Sequence, residues 1–340
     1  MSDVISRQQL LELVDAWIAQ DKRAIGPVAV GEDLHLFMSM SDSGQLAMEG
    51  YIRPQNSIKE FFFPRHEKIY RYHFKGHNIE LEDVEPPATE QLIIGARPCD
   101  AAALPILDHV FNWDFKDEFY NQRRNATTVI TLACATFDDN CFCTSVGLSP
   151  AAEQGSDALL LSIGDDGYEV RCLTDKGKAL FEDKTQSSEK TGEVIDGPEK
   201  KFDPEPIGDF VRNNFENPVW QEIALRCLGC GVCTYSCPTC HCFDIVDEGT
   251  ASGGARVKNW DSCQFAMFTQ HASGHNPRAN QIHRQRQRLL HKFGIYPEKF
   301  GAILCTGCGN CMRNCPVELG VLNSVEILRE AATRNTGEGK

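Results

Sequence analysis

Two identical runs of four cysteines, each closed by a proline, constrain this chain more than any other feature of its sequence. The first run is Cys227, Cys230, Cys233 and Cys237 before Pro238, and the second is Cys305, Cys308, Cys311 and Cys315 before Pro316. One shift of 78 positions maps every cysteine of the first run onto the second, and the glycines between them match as well. The repeat predicts a duplicated binding unit.

The spacing within each run is typical of bacterial ferredoxins, which hold [4Fe-4S] clusters. Three thiolates two residues apart, on a turn freed by glycine, can surround one cubane of soft iron atoms. In two-cluster ferredoxins the fourth cysteine of each run binds the other cluster. We therefore predict one cluster on Cys227, Cys230, Cys233 and Cys315, and a second on Cys305, Cys308, Cys311 and Cys237.

Zinc is the alternative for clustered cysteines, but zinc sites usually use two C-x2-C pairs for four ligands. Two four-cysteine runs that each end in proline favour iron and sulfide instead. Two clusters in one small domain would lie close enough to exchange an electron. The runs therefore favour electron transfer over a purely structural role for the clusters.

Three cysteines near the first run have no place in this scheme. Cys240 and Cys242 lie two and four positions after Pro238, and Cys263 lies in the segment NWDSCQF. They are expected either to form a further thiolate group, as ligands or redox-active thiols, or to be small buried side chains. The spacing does not decide between these interpretations.

The N-terminal half has a second group of cysteines. QLIIGARPCD and ATTVITLAC each read as a buried strand that ends in a cysteine, and the loop FDDNCFCTSVG adds two more. Open α/β sheets bind ligands at such strand ends, so Cys99, Cys134, Cys141 and Cys143 are candidates for a third cluster. Zinc or plain burial are the alternatives. Cys172 is expected to be an ordinary residue of a hairpin built around a Gly-Asp-Asp-Gly turn.

The predicted fold combines α/β and α+β features in two domains. Residues 1–184 are expected to form an α/β domain, residues 185–206 a polar linker or exposed loop, and residues 207–340 a ferredoxin-like domain. A long helical insertion is expected between the cysteine runs, at about 243–300, with a basic helix ending at Gly294. That helix is either a solvated face or a source of positive charge for the clusters or an acidic partner. Near the N-terminus, apolar residues at helical spacing predict a helix docked on the core.

Composition excludes several classes of function. A net charge of -14 argues against nucleic-acid binding. No apolar run reaches the length of a membrane span, and the first residues lack the pattern of a signal peptide, so a cytoplasmic location is expected. Neither GxGxxG nor a Walker motif is present, so no nucleotide site and no catalytic residue are predicted.

Several longer segments resemble one known family. They are FFFPRHEKIYRY at 61–72, ARPCDAAALPILDHVF at 96–111, CFCTSVG at 141–147, RCLGCGVCTYSCPTCHCFD at 226–244, NWDSCQFAMFTQHASGHNPR at 259–278 and CTGCGNCMRNCP at 305–316. With these segments, which extend over most of its length, the chain is similar to the iron-sulfur beta subunits of cytosolic nickel-iron hydrogenases and sulfhydrogenases. The same family includes an iron-sulfur subunit of anaerobic sulfite reductase.

The resemblance implies an electron-transfer subunit that is not catalytic alone. Its partners would be a flavin-containing subunit that oxidises NAD(P)H, together with a catalytic subunit of hydrogenase or sulfur/sulfite reductase type. It also implies an additional cluster on the N-terminal cysteines. The competing hypothesis is a sulfur or disulfide reductase in its own right, working through Cys240, Cys242 or Cys263.

Overall fold

A computed structural model describes residues 1–86 and 89–337, with side chains described up to residue 334. The strands are β1 Ser2–Ile5, β2 Arg23–Ala29, β3 His35–Met40, β4 His66–Lys75, β5 Asn78–Asp83, β6 Gln91–Ala96, β7 Thr127–Leu132, β8 Ala158–Ser162, β9 Tyr168–Cys172, β10 Gln186–Ser188, β11 Phe243–Thr250 and β12 Gly253–Trp260. The α-helices are α1 Arg7–Ile18, α2 Pro98–Ala101, α3 Ala103–Phe111, α4 Glu118–Ala126, α5 Asp175–Phe181, α6 Pro204–Asn213, α7 Val219–Leu225, α8 Val232–Tyr235, α9 Gln281–Leu290, α10 Tyr296–Phe300, α11 Asn310–Arg313 and α12 Val321–Gly337.

The chain divides into two compact units, and each is built from three separate segments. The first unit is Met1–Ile58, Ala88–Pro204 and Cys305–Asn310. The second is Lys59–Pro87, Glu205–Leu304 and Cys311–Lys340. The predicted linker, residues 185–206, contains β10 and the start of α6. The last three residues of the predicted ferredoxin-like domain, 338–340, lie outside the described residues.

The first unit is built on an eight-stranded sheet in the order β10-β1-β9-β8-β7-β6-β2-β3. Its centre is parallel, with β2 beside β6, β6 beside β7 and β7 beside β8, while antiparallel strands flank both sides. Every residue of β6 and of β7 is buried. This confirms the two buried strands predicted from QLIIGA and TTVITL, since continuous apolar runs are typical of strands covered on both faces.

Helix α1 packs its apolar face against this sheet. It begins at a capping box, in which the Ser6 hydroxyl accepts from the Gln9 backbone N–H and the Gln9 side chain accepts from the Ser6 N–H. Leu10, Leu13 and Val14 are buried in the core cluster of the unit, which confirms the predicted docked helix. The prediction for Cys172 is also confirmed, because β8 and β9 form an antiparallel hairpin in which Cys172 lies opposite Ala158.

The second unit contains a four-stranded antiparallel sheet in the order β11-β12-β4-β5. Two of its strands, β11 and β12, lie in the region between the cysteine runs, where a helical insertion was predicted. The region is α-helical only from Gln281 onward. A hairpin forms here because glycines permit close backbone contact: a Cβ on Gly254 would lie 2.2 Å from the Glu248 carbonyl oxygen.

The sequence predicted that the basic helix ends at Gly294, but the helical stretch continues beyond this residue. Helix α9 continues through a π-turn at His291–Ile295 into α10, and the left-handed residue that ends this helical stretch is Gly301, with φ of 69°. Gly294 instead allows close packing, since a Cβ there would lie 2.8 Å from a Leu290 methyl group. Within the described residues, no helix has both the length and the apolar character needed to cross a membrane.

Candidate iron-sulfur sites

The four cysteines predicted to hold the first cluster lie together in the second unit. Cys227, Cys230, Cys233 and Cys315 line one small cavity, closed by apolar side chains such as Val317 and Leu319. Two glycines of the run have positive φ, 71° at Gly229 and 76° at Gly231, so the backbone bends as the ferredoxin spacing requires. The cavity brings together Cys315 and a run more than eighty residues earlier, as the exchange of fourth ligands predicts.

Three glutamines surround the Cys227 sulfur. Gln281 Nε2 lies 3.1 Å and Gln285 Nε2 2.8 Å from Cys227 Sγ, and both amides also donate to Gln264 Oε1. The Gly229 backbone N–H donates to the same sulfur at 3.3 Å. The sequence analysis missed these residues, although Gln281 and Gln285 stand one helical turn apart on α9. Such donors favour the more negative state of a cluster, because they stabilise charge on its sulfur ligand.

The surroundings of Arg288, also on α9, indicate whether an iron-sulfur cluster fits this region. Its side chain is buried, with 2% exposure, and none of its three guanidinium nitrogens has a hydrogen-bond partner among the described residues. Burial alone would lower the pKa of Arg288, but the Cys233 and Cys311 thiolates raise it above its ordinary value. A buried cation without a polar partner is costly. A negatively charged cluster, with sulfide acceptors, would supply the missing partner.

The basic helix therefore does more than present charge to solvent. Among the cations of this helix and of the π-turn that follows it, Arg286, Arg288 and Lys292 are buried. The Arg286 guanidinium stacks on the Phe215 ring, with its centre 3.3 Å from the ring centroid. The interpretation of this helix as a solvated face is wrong for these three residues. The alternative, positive charge directed at the cysteines, fits Arg288 and Lys292.

The predicted ligands of the second cluster are divided between the two units. Cys305 and Cys308 belong to the first unit, where the Gly307 N–H lies 3.4 Å from Cys305 Sγ. Cys237 and Cys311 belong to the second unit, where Lys292 Nζ lies 3.5 Å from Cys237 Sγ and the Val321 N–H 3.4 Å from Cys311 Sγ. The assignment of these four cysteines to one cluster stays a prediction.

The N-terminal cysteines come together in the first unit. Because β6 and β7 are parallel, their carboxyl ends meet at one edge of the sheet, and Cys99 and Cys134 follow these ends. Cys141 and Cys143 complete the set from the following loop, and all four line one cavity. Cys308, from the second ferredoxin run, lines the same cavity. The sequence predicted the four cysteines but gave no sign of Cys308.

Residues 305–310 pack closely on the loop that carries Cys141 and Cys143. The Phe142 N–H donates to the Gly307 carbonyl oxygen at 2.9 Å. A Cβ on Gly307 would lie 2.5 Å from both the nitrogen and the Cα of Cys143, so only glycine fits at this position. The glycine between the cysteines of the second run thus brings two cysteine-bearing segments into backbone contact.

Arg53 places positive charge beside the N-terminal cavity. It is buried, forms an ion pair with Asp100, and has Nη1 3.5 Å from Cys99 Sγ and 3.1 Å from the Cys308 carbonyl oxygen. Burial raises the pKa of Cys99, and it raises that of Cys143 to about 11. Binding to a metal or cluster would require both thiols to lose their protons. No sequence pattern pointed to Arg53, because this residue lies far from every cysteine in the sequence.

In the described part of the chain, no group of three or more His, Cys, Asp or Glu side chains has the arrangement to hold a metal ion. The cysteines of the N-terminal set and of the first predicted cluster instead border cavities. The three unassigned cysteines also come together: Cys240, Cys242 and Cys263 line a separate cavity of about 360 Å³ in the second unit.

Comparison with known proteins first indicates the class of domain that the chain contains. Residues 226–319 match the family model of the 4Fe-4S dicluster domain, so this part of the chain is similar to iron-sulfur proteins of ferredoxin type. Over 324 residues the chain is 29% identical to "Sulfhydrogenase 2 subunit beta" of Pyrococcus furiosus. The aligned region covers 91% of this chain and 92% of that protein. Together these findings confirm the resemblance to the iron-sulfur beta-subunit family. No solved structure matches the chain.

Proposed function

We propose that this chain is an electron-transfer subunit that relays electrons between two partners. One would be a flavin-containing subunit that oxidises NAD(P)H, and the other a catalytic subunit of hydrogenase or sulfur/sulfite reductase type. The observation that carries the proposal is the N-terminal cavity of the first unit. This cavity is lined by Cys308 together with Cys99, Cys134, Cys141 and Cys143. A cluster held there would adjoin a ligand of the ferredoxin pair, as a chain of redox centres requires.

The proposed ligands follow the sequence assignment. Cys227, Cys230, Cys233 and Cys315 would hold the first [4Fe-4S] cluster, Cys305, Cys308, Cys311 and Cys237 the second, and Cys99, Cys134, Cys141 and Cys143 a third. When bound, such clusters accept and release single electrons at potentials between roughly -700 and +450 mV. The other side chains of the sites tune this chemistry. Gln281 and Gln285 donate to a ligand sulfur, while Arg288 and Arg53 compensate negative charge.

Burial of the ligands serves the same function. Cys233, Cys237, Cys305, Cys308 and Cys311 are all buried, and exclusion of water limits side reactions of reduced clusters. Cys230 is exposed. The first cluster would therefore have an edge near the protein surface, where an electron partner can approach. No residue of the chain is assigned a catalytic role in this proposal.

Iron and acid-labile sulfide, measured per chain on anaerobically purified protein, test the proposal. Three [4Fe-4S] clusters predict about twelve iron atoms, and Cys99→Ser should lose about four of them. Cys237→Ser should change the spectrum of the second cluster and leave the N-terminal one intact. Cys172→Ser is the matched control, because Cys172 belongs to an ordinary hairpin. About eight iron atoms, unchanged in Cys99→Ser, would contradict a third cluster.

A relay also has to transfer electrons. Rapid mixing with a reduced low-potential donor, followed by freezing, should show the clusters reduced and then reoxidised by an added acceptor. Cys99→Ser should slow transfer through the chain without removing the signals of the ferredoxin pair. Clusters that resist reversible reduction in the assembled complex would indicate a structural role and contradict the proposal.

A further inference from the structure

Cys242 and Cys263 lie side by side, although twenty-one positions separate them. Cys242 directly precedes β11 and Cys263 lies three residues beyond the end of β12, and the antiparallel register pairs Phe243 with Trp260. The Asp261 N–H extends this pairing by donating to the Cys242 carbonyl oxygen at 3.0 Å. Both cysteines line one cavity. The hairpin therefore fixes the two cysteines as a pair.

The pair lies in the wall of the cavity of about 360 Å³ described above. This volume is at the lower end of the range for ordinary ligand pockets. It is large enough for a small molecule to reach the sulfur atoms. Both cysteines are partly exposed, whereas Cys240, the third sulfur of the wall, is buried. Lys292, which also lines this cavity, has its Nζ atom 3.5 Å from the sulfur of Cys237, a predicted cluster ligand. The cavity thus lies next to a predicted cluster.

The wall of this cavity is positively charged. Arg278, Arg288 and Lys292 line it, and Arg288 has no hydrogen-bond partner in the described part of the chain. Two histidines also line it, but burial lowers the pKa of His241 to about 4 and that of His291 to about 3, so both are neutral near pH 7. A wall with fixed cations favours thiolates and anionic ligands.

The Cys263 sulfur has the features of a nucleophile. Gln264 Nε2 lies 3.3 Å from it, and the cations Arg288 and Lys292 line the same cavity. The Cys242 hydrogen bond is the main reason that the pKa of Cys263 falls to about 6 despite burial. Reactive cysteines in proteins are partly exposed thiols in such electropositive surroundings. The contact geometry, the open cavity and the charge of its wall all point to one kind of chemistry.

We propose that Cys242 and Cys263 form a redox-active dithiol that cycles with a disulfide and exchanges electrons with small, anionic disulfide compounds. In this reaction the Cys263 thiolate attacks one sulfur of the compound, a mixed disulfide forms, and the first thiolate leaves. Cys242 then loses its proton and attacks Cys263, which releases the second thiolate and leaves the Cys242–Cys263 disulfide. Two electrons have passed to the compound, and one S–S bond replaces another.

Return to the starting pair, with a Cys242 thiol and a Cys263 thiolate, requires two electrons and one proton. This step rests on the proposed function, because the electrons would come one at a time from the clusters of the relay. The pair would then act as the point at which one-electron carriers meet a two-electron reaction. The oxidation step stands independently of the clusters, since a small disulfide alone can drive it.

The experiment uses the full chain with its clusters intact, equilibrated anaerobically in buffers of reduced and oxidised glutathione. Samples are quenched in acid, alkylated and mapped by mass spectrometry. We expect a Cys242–Cys263 disulfide that forms with a two-electron dependence on the buffer potential. Cys242→Ser and Cys263→Ser should each abolish it, with iron content unchanged. Cys172→Ser and Cys240→Ser should leave it intact.

Three results would overturn the proposal: the absence of this disulfide across the whole range, its formation with Cys240 instead, or loss of iron or zinc in Cys263→Ser. The last result would show that Cys263 is a metal ligand. None of them depends on the relay, which the iron content of Cys99→Ser tests separately. A disulfide that forms normally but is never reduced through the clusters would contradict only the coupling between the two.

Discussion

At the scale of single residues, the cysteines of this protein are only part of each site. The ferredoxin spacing predicts which sulfurs share a cluster, because the ligands of such clusters are close in the chain or follow a known exchange. The groups that set the properties of the sulfurs are not fixed in this way. Arg53 lies 255 positions from Cys308, whose carbonyl oxygen it contacts, and no local pattern connects them. Sequence reasoning therefore predicted a set of ligands but none of the polar groups around them.

Gln285→Leu should lower the reduction potential of the cluster predicted at Cys227. Gln285 Nε2 donates to Cys227 Sγ at 2.8 Å, and this hydrogen bond favours the reduced, more negative state. Loss of a hydrogen bond to a charged group, at about 1.5–3 kcal/mol, corresponds to roughly 60–130 mV for one electron. A redox titration followed by electron paramagnetic resonance measures the shift. Gln287→Leu, two residues along α9, is the matched control, and an equal shift in both variants would contradict the assignment.

Cys263 should react with iodoacetamide at lower pH than an ordinary cysteine. Its pKa is lowered to about 6, so the thiolate is present above that pH and is lost as the pH falls through it. The alkylation rate of the reduced chain, followed by peptide mass spectrometry, should therefore rise through a midpoint near pH 6 and level off above about pH 7. Cys172, whose pKa burial raises, serves as the internal reference and should react only at higher pH. The same pH profile for both cysteines would contradict the prediction.

At the scale of elements, the sequence predicted those whose pattern has a single explanation. The buried strands β6 and β7, the amphipathic helix α1 and the hairpin of β8 and β9 all show clear apolar periods or a tight turn. The hairpin of β11 and β12 was missed because β11 is exposed along its whole length, so its sequence, FDIVDEGT, lacks the alternation of a half-buried strand. The π-turn in the basic helix has no sequence signature that distinguishes it from a helix end at Gly294.

Asn280→Ala should destabilise the helix that carries the polar groups of the first cluster. The Asn280 side chain caps α9 by accepting from the His283 N–H at 3.1 Å. Loss of such a cap costs about 0.5–2 kcal/mol of unfolding free energy. Loss of the cluster predicted at Cys227 on exposure to oxygen should also become faster, because Gln281 and Gln285, which contact the Cys227 sulfur, lie in the first turns of α9. Asn280→Ser, which retains a capping oxygen, should stay close to the native protein in urea unfolding and cluster lifetime.

At the scale of the whole molecule, each of the two units is built from separate segments of the chain, so the units do not correspond to an N-terminal and a C-terminal half. The sequence indicated an α/β part and a ferredoxin part, and it correctly placed four cysteines at one edge of a parallel sheet. It gave no reason to assign residues 305–310 to the same unit as that sheet. Composition and spacing describe local segments, whereas this contact depends on glycine at one position and a backbone hydrogen bond to a loop far away.

Removal of the clusters should destabilise the entire protein. Without them, Arg288 stays buried with no acceptor in the described residues. The buried cysteines also lose the iron atoms to which their sulfurs would bind. The free energy of metal binding is then lost from folding, so the melting temperature should fall by about 10 °C or more. Calorimetry before and after anaerobic chelation measures the change. Reconstitution with iron and sulfide should restore the melting temperature; an unchanged value in the cluster-free chain would contradict the prediction.

The place of residues 305–310 in the first unit has a consequence for biosynthesis. This short segment supplies Gly307 and Cys308 to the N-terminal cavity, yet the ribosome makes it more than 160 residues after Cys143. The α/β sheet can form earlier in translation, but the cavity beside Cys99 is complete only once residues 305–310 have been made. Delivery of iron and sulfide to the N-terminal cysteines is therefore expected to follow synthesis of this segment, so the assembly machinery would have to recognise a folded first unit rather than its strands as they emerge.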